Sequence, residues 1–364
     1  MSPPPPPPEV ATSAAGGSRT APPRDAPQRA SLPSEFETRT LVKHAVKVAV
    51  LIAVLVLVAL LAPGLGEVRE HLGDAKPGWI AIAVGLELLS CLSYILMFRP
   101  IFCRRMSWRS ASQIGWSELG MGSIVPASGA AGLALGAWAL VQGGMAPERV
   151  ARRSVAFFLI KSSVNFVAVA VIGALLALGL FGPDLSLWLT AFPAFLSLLV
   201  IAAIVLLPRL GEGTPAPPDA SRTRRAVAAA RRSVIAGTRE AVEIARARDP
   251  LVLLGAFGYW AWDNAVLWAT FHAFGAHVSI WVVLLGYLIG QLGGLLPIPG
   301  GIGGIDGGLI GTLVVFGAPA AATAAAVLAY RVILFWLPLI GGAIGFFSLR
   351  RTLARERERI FAPC

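Results

Sequence analysis

The chain has 364 residues, of which 56% are hydrophobic and only 14% charged, and its mean hydropathy is +0.71. Several runs of about twenty residues carry almost no charge, the length needed to cross a bilayer core of roughly 30 Å, which excludes a soluble globular protein. The net charge of +11, carried mostly by arginine, then reports membrane orientation and anionic-lipid contact rather than nucleic-acid binding.

Residues 1–40 are rich in Pro, Ala, Ser and Gly and lack an apolar core segment, so they read as a disordered cytoplasmic tail and not a signal peptide. Six full spans follow, at about 46–66, 78–101, 154–180, 186–208, 250–273 and 319–347. Two further apolar stretches, 111–145 and 279–317, are interrupted by Pro and Gly. Cys91 and Cys103 would lie about 18 Å apart on one helix, too far for a disulfide. The cysteines make no disulfide framework and no zinc spacing.

Positive charge orients the chain. Arg39, Lys43 and Lys47 precede the first span; Arg99, Arg104, Arg105 and Arg109 follow the second without an acid. Segment 209–249 holds nine arginines and the chain after 349 holds five. The opposite side offers Arg69 and Lys76 against Glu67, Glu70 and Asp74. Both termini are therefore expected in the cytoplasm. Stretch 111–145 must then leave from and return to the cytoplasmic side, and 279–317 must do the same from outside. The predicted fold is an all-α polytopic membrane protein with six full transmembrane helices and two oppositely oriented re-entrant, broken-helix hairpins. Repeat A would span 78–180 and repeat B 250–347, separated by the basic loop 209–249; residues 41–348 form the membrane domain and 349–364 a basic tail.

The two hairpins resemble one another: each has a proline, a glycine-rich turn, an apolar arm, then Gly and Pro before an Ala-rich helix. Pro126 to Pro147 spans 21 residues and Pro297 to Pro319 spans 22. Inverted repeats with broken helices are a common build among transporters. Irregular backbone at membrane depth survives only where protein or a wet cavity covers it. The candidate broken-helix positions are Pro126 and Gly129 in the first hairpin, and Pro297, Pro299, Gly300, Gly301, Gly303 and Gly304 in the second. Their freed N–H groups could cradle an anion. Close helix packing through GxxxG spacing explains the same glycines without a ligand, and the missing βαβ context excludes a dinucleotide loop.

Ionisable residues inside the apolar stretches are Glu87, Glu118, Lys161, Asp263, Asp306 and Arg331. Each costs roughly 2.5–3.5 kcal/mol at the bilayer centre on insertion scales, so they are expected to pair or to face water. Glu87 and Asp263 lie in the spans before the hairpins, Lys161 and Arg331 in the spans after them. Lys161 and Arg331 would anchor an anionic headgroup, Arg bidentately and Lys as a point charge. The carboxylates would hold these cations in the absence of ligand or relay protons. Asn264, beside Asp263 in an aromatic-rich helix, joins the candidate lining. Segment 222–248 reads as a basic amphipathic helix on the inner leaflet. No metal set, nucleophile elbow or Walker loop is present, so neither catalysis nor a cofactor is expected.

The run "LPIPGGIGGIDGG", followed by "FGAPAAATAAAVLAYRVILFWLPLIGG", resembles the membrane, flippase-like domain of lysylphosphatidylglycerol synthases and their stand-alone relatives. The matching positions are Pro297, Pro299, Gly300, Gly301, Gly303, Asp306, Gly317 and Arg331; the family more often carries Glu where this chain has Asp306. The resemblance, over roughly 45–348 and strongest after 285, implies translocation or handling of an anionic lipid in a bacterial plasma membrane. No synthase domain accompanies it in this sequence, so aminoacyl transfer is not implied. The alternatives are a subunit presenting lipid to a separate glycosyltransferase or synthase, and a proton-coupled small-solute transporter. Expected partners are membrane lipids and a lipid-modifying enzyme.

Overall fold

The computed structural model describes residues 73–124, 130–180, 186–211, 221–290 and 304–355, with single positions between 42 and 70 and at 217. None of the described residues is in a strand. The helices are α1 (Pro77–Phe102), α2 (Trp108–Ile124), α3 (Ala130–Gln142), α4 (Pro147–Ala177), α5 (Leu187–Leu206), α6 (Arg222–Ala247), α7 (Pro250–Ala273), α8 (Ile280–Gly290), α9 (Gly304–Val315) and α10 (Ala320–Arg355). Four described segments, Pro77–Phe102, Pro147–Ala177, Leu187–Leu210 and Ala320–Arg355, are long and apolar enough to cross a membrane. Helix α7 has the expected bounds and 24 residues, about 36 Å of helix, but its Trp, Tyr, Gly, Asp and Asn make it less apolar than those four. Most of the expected span 46–66 lies outside the described residues.

Prolines start three of these helices. Pro77, Pro147 and Pro250 sit in the first turn, where the missing N–H costs nothing and φ is already helical. Asp249 also caps α7, its Oδ1 accepting from Leu251 N at 2.9 Å.

Helices α1 and α7 form the antiparallel centre. Lys76 N donates to Ala273 O at 2.8 Å at one end, Ser90 Oγ to Tyr259 O at 3.1 Å in the middle, and Arg104 pairs with Asp249 at the other end. Glycine permits the close approach: a Cβ on Gly255 would stand 2.7 Å from Met97 Cβ. Each of these two helices leads into a helical pair, α2 with α3 and α8 with α9. The bases of the pairs lie at opposite ends of the bundle. Met106, Met145 and Val150 cluster with Ile101 and Phe102 at the Arg104 end, whereas Phe316 and Ala318 cluster with Ala273 and Phe274 at the Lys76 end.

The second arm of each pair ends in the same turn. Gly144 and Gly317 have φ of 97° and 89°, a conformation glycine adopts without a Cβ clash. Met145 N reaches Leu140 O and Ala318 N reaches Leu313 O, both at 3.0 Å, the six-to-one bond of a Schellman cap.

Helix α2 crosses α10 antiparallel, with Gly120 against Gly342 and Trp116 over Gly341 and Gly345. The basic helix α6 buries Ile235, Gly237, Thr238 and Ala241 against α4. A Cβ on Gly237 would meet Arg152 O at 2.7 Å. Glu240 holds Arg152 and Arg153 at 3.3 and 3.2 Å. Helix α5 has a largely exposed apolar surface; Thr190, Ala194 and Ser197 are its buried residues.

Candidate functional site

The structure gathers most of the ionisable residues singled out above into two polar nodes. In the first, Glu118 of α2 is buried and accepts from Tyr94 OH of α1 at 2.7 Å; its Oε1 has no partner among the described residues. Gly136 of α3 leaves the room, since a Cβ there would collide with that oxygen. Lys161 of α4 sits beside this pair, its Nζ 5.7 Å from the Tyr94 ring centroid, 5.6 Å from Tyr259 and 6.0 Å from Phe158. The expectation that a carboxylate holds Lys161 in an ion pair is corrected here. No carboxylate among the described residues lies within salt-bridge distance of it. The ammonium faces aromatic π-systems, whose negative faces attract a cation.

In the second node, Asp263 of α7 accepts from Tyr287 OH of α8 and from Tyr330 OH of α10 at 3.1 Å. Arg331, next to Tyr330, is held by Asp306 of α9, with Nε donating to Oδ1 at 2.7 Å and Nη2 donating to the same oxygen. Both side chains of this pair are mostly buried, at 14% and 13% exposure.

Glu87 lies between the nodes on α1, buried, accepting from Cys91 Sγ at 3.5 Å; its Oε2 has no partner among the described residues. Glu87, Cys91 and Tyr94 follow at i, i+4 and i+7, one face of a helix, and Tyr259 and Asp263 are one turn apart on α7. A polar line therefore runs from Glu118 through Tyr94 and Glu87, and along Tyr259 and Asp263, to Arg331 and Asp306. The ends of the line differ in depth. Tyr94 is eight residues from the C-terminus of α1, roughly 12 Å from the arginine-rich end. Asp263 is ten residues from the C-terminus of α7, roughly 15 Å from the opposite end.

Asn264 does not join the line. Its Nδ2 donates to Trp260 O of its own helix at 2.8 Å, although Oδ1 is buried without a partner among the described residues. Pro126, Gly129, Pro297, Pro299, Gly300, Gly301 and Gly303 lie outside the described residues, and Gly304 is the first residue of α9. No group of three or more His, Cys, Asp or Glu able to hold a metal occurs among the described residues.

The tyrosines were missed in the sequence. The chain has four, Tyr94, Tyr259, Tyr287 and Tyr330, and every one sits at a node. The available signal was position: each is inside an apolar stretch, away from the interfacial belt where a membrane tyrosine is usually expected. A second signal is spacing. Tyr94 and Glu118 recur 169 residues later as Asp263 and Tyr287 (94 to 263, 118 to 287). Donor and acceptor have exchanged places, and the hydrogen bond between the two positions is retained.

Residues 45–342 match the family described as Lysylphosphatidylglycerol synthase TM region. The chain belongs to this family. A stretch of 86 residues is also 35% identical to a UPF0104 membrane protein of Methanothermobacter thermautotrophicus, covering 23% of this chain and 26% of that protein. The chain thus matches about a quarter of that relative's length. Membership in the lysylphosphatidylglycerol synthase TM-region family, together with the long apolar helices, makes this a multi-pass membrane protein. Both nodes and the line between them fall inside the matched region.

Proposed function

We propose that this protein moves a phosphate-bearing lipid headgroup between leaflets along the polar line, with Lys161 and Arg331 as its two cationic stations. The observation that carries the reading is the line itself: two nodes of opposite depth, joined through α1 and α7, in an otherwise apolar bundle. An ion pair that only fixed helix register would need neither the second node nor the connecting Glu87. At the Arg331 station the phosphate displaces Asp306 from the guanidinium, exchanging one charge-assisted contact for another.

In this reading the protein has six spans, the α2/α3 and α8/α9 pairs are re-entrant hairpins, and the two halves are an inverted repeat with both termini in the cytoplasm. Support comes from the opposite bases of the two pairs, the shared Schellman turn at Gly144 and Gly317, and the 169-residue recurrence of the Tyr–carboxylate bond. Ser90 and Tyr259 are separated by the same 169 residues and touch each other, as two equivalent positions on a pseudo-twofold axis must.

The test is dithionite quenching of fluorescent phosphatidylglycerol in proteoliposomes. Wild type brings inner-leaflet label within reach of the quencher. Arg331→Ala slows this about tenfold or more, since losing a hydrogen bond to a charged group costs about 1.5–3 kcal/mol. Protection of the inner-leaflet label by folded wild type overturns translocation and favours a subunit that presents lipid to a separate enzyme.

A further inference from the structure

Outside the polar line, α2 and α10 leave an open cleft of about 460 Å³ on the lateral surface of the bundle. Its residues are ordered along its length. At the arginine-rich end stand Arg109, Gln113 and Ser348; deeper in the bundle follow Ile344, Ile340 and Leu337. Eleven residues separate Ser348 from Leu337, about 16 Å of helix. The cleft exists because Trp116 packs over Gly341 and Gly345, so α10 has no side chains there to fill the space beside α2. Ile340 and Ile344 remain exposed.

Two features mark its polar end. Gln113 is only 6% exposed. Its Nε2 donates to Ser348 Oγ at 2.7 Å and to Thr352 Oγ1 at 3.2 Å, while its Oε1 is buried without a partner among the described residues. This amide ties α2 to α10 beneath the polar end of the cleft. Arg109, exposed at the same end, belongs to none of the ion pairs of the described residues. Arg109, in the first turn of α2, and the apolar trough deeper in the bundle thus stand in the order of lipid phosphate and acyl chain.

We propose that this cleft is a docking site for one anionic phospholipid. The phosphate lies at Arg109, and one acyl chain runs along Ile344, Ile340 and Leu337. The inference rests on membrane placement alone and not on transport at Arg331, so either can fail without the other. The cleft and the first node share α2, which carries both Gln113 and Glu118.

The experiment uses full-length protein in nanodiscs carrying trace phosphatidylglycerol or phosphatidylcholine with a diazirine in one acyl chain. Mass spectrometry then locates the adducts after illumination. Phosphatidylglycerol labels the 337–344 segment of α10 above the exposed face of α5. Arg109→Gln lowers that label about fivefold, the scale of a partly exposed ionic contact, and leaves phosphatidylcholine labelling unchanged. Ile340→Trp fills the cleft from its open side and abolishes the preferential label. Ile340 points outward, so this variant keeps the α2–α10 contact, and a monodisperse elution profile verifies the fold. Equal labelling of α5 and α10, or equal labelling in wild type and Ile340→Trp, overturns the proposal.

Discussion

At Arg331 and Asp306, two opposite charges sit almost out of solvent, and each is costly without the other. Removing one partner of a buried pair leaves an uncompensated charge, which costs about 3–5 kcal/mol. The residual exposure of 14% and 13% places this pair at the lower end. Arg331→Ala and Asp306→Ala should each lower the melting temperature of detergent-solubilised protein. The double variant Asp306→Asn with Arg331→Gln should lose less than the sum of its single changes, because neither side is left charged. A double-mutant cycle measures the coupling; strictly additive losses would show that the pair contributes nothing as a pair. A charge-conserving change at position 306 supplies a control. Asp306→Glu keeps the charge, moves it by one methylene, and should retain most of the stability.

Among the elements, the contact between α2 and α10 depends on glycine more than any other. A Cβ on Gly342 would stand 2.5 Å from Gly120 Cα, against backbone that cannot move aside as a side chain tip can. Gly342→Val therefore forces the two helices apart, with a loss in the range of about 1–3 kcal/mol typical of overpacking. Gly85 in α1 meets nothing within 4 Å, and Gly85→Ala should be neutral or stabilising by up to about 1 kcal/mol through helix propensity alone. Thermal unfolding of both variants separates packing from propensity; equal losses would mean that α2 and α10 do not touch in the folded protein. The helices themselves were legible in the sequence. The expected spans 78–101 and 250–273 became Pro77–Phe102 and Pro250–Ala273, because Pro77 and Pro250 mark starts that apolar composition alone would blur. Expected start 154 moved back to Pro147, since the charged turn Glu148–Arg153 continues the helix into the polar end. The surroundings of Lys161 were not legible. Its rings come from α1, α4 and α7, and three-helix proximity leaves no mark in local periodicity.

For the whole molecule, the decisive property is which side each hairpin opens to, because only opposite openings make the two halves an inverted repeat. Local sequence does not distinguish the two hairpins, which read alike; the expectation of opposite openings rests on counting arginines between spans. The bases of the two helical pairs lie at opposite ends of the bundle. Arg104 and Asp249 join α1 to α7 at the end where α2 begins, and Lys76 and Ala273 join them at the end where α9 leads into α10. Ser107 and Ser279, both exposed, flank α2 and α8 just outside each pair. In a background lacking Cys91, Cys103 and Cys364, Ser107→Cys should react with an impermeant maleimide only in inside-out vesicles. Ser279→Cys should react only in right-side-out vesicles. Reaction of both from one side would place the two bases in the same leaflet. The proposed inverted repeat would then have no counterpart in the membrane, and the proposed transport between the two nodes would lose its structural basis. Reaction from opposite sides puts the Lys161 node nearer one leaflet and the Arg331 node nearer the other. On the proposed function, a headgroup crossing between them would then travel only the short stretch bridged by Glu87 and Asp263.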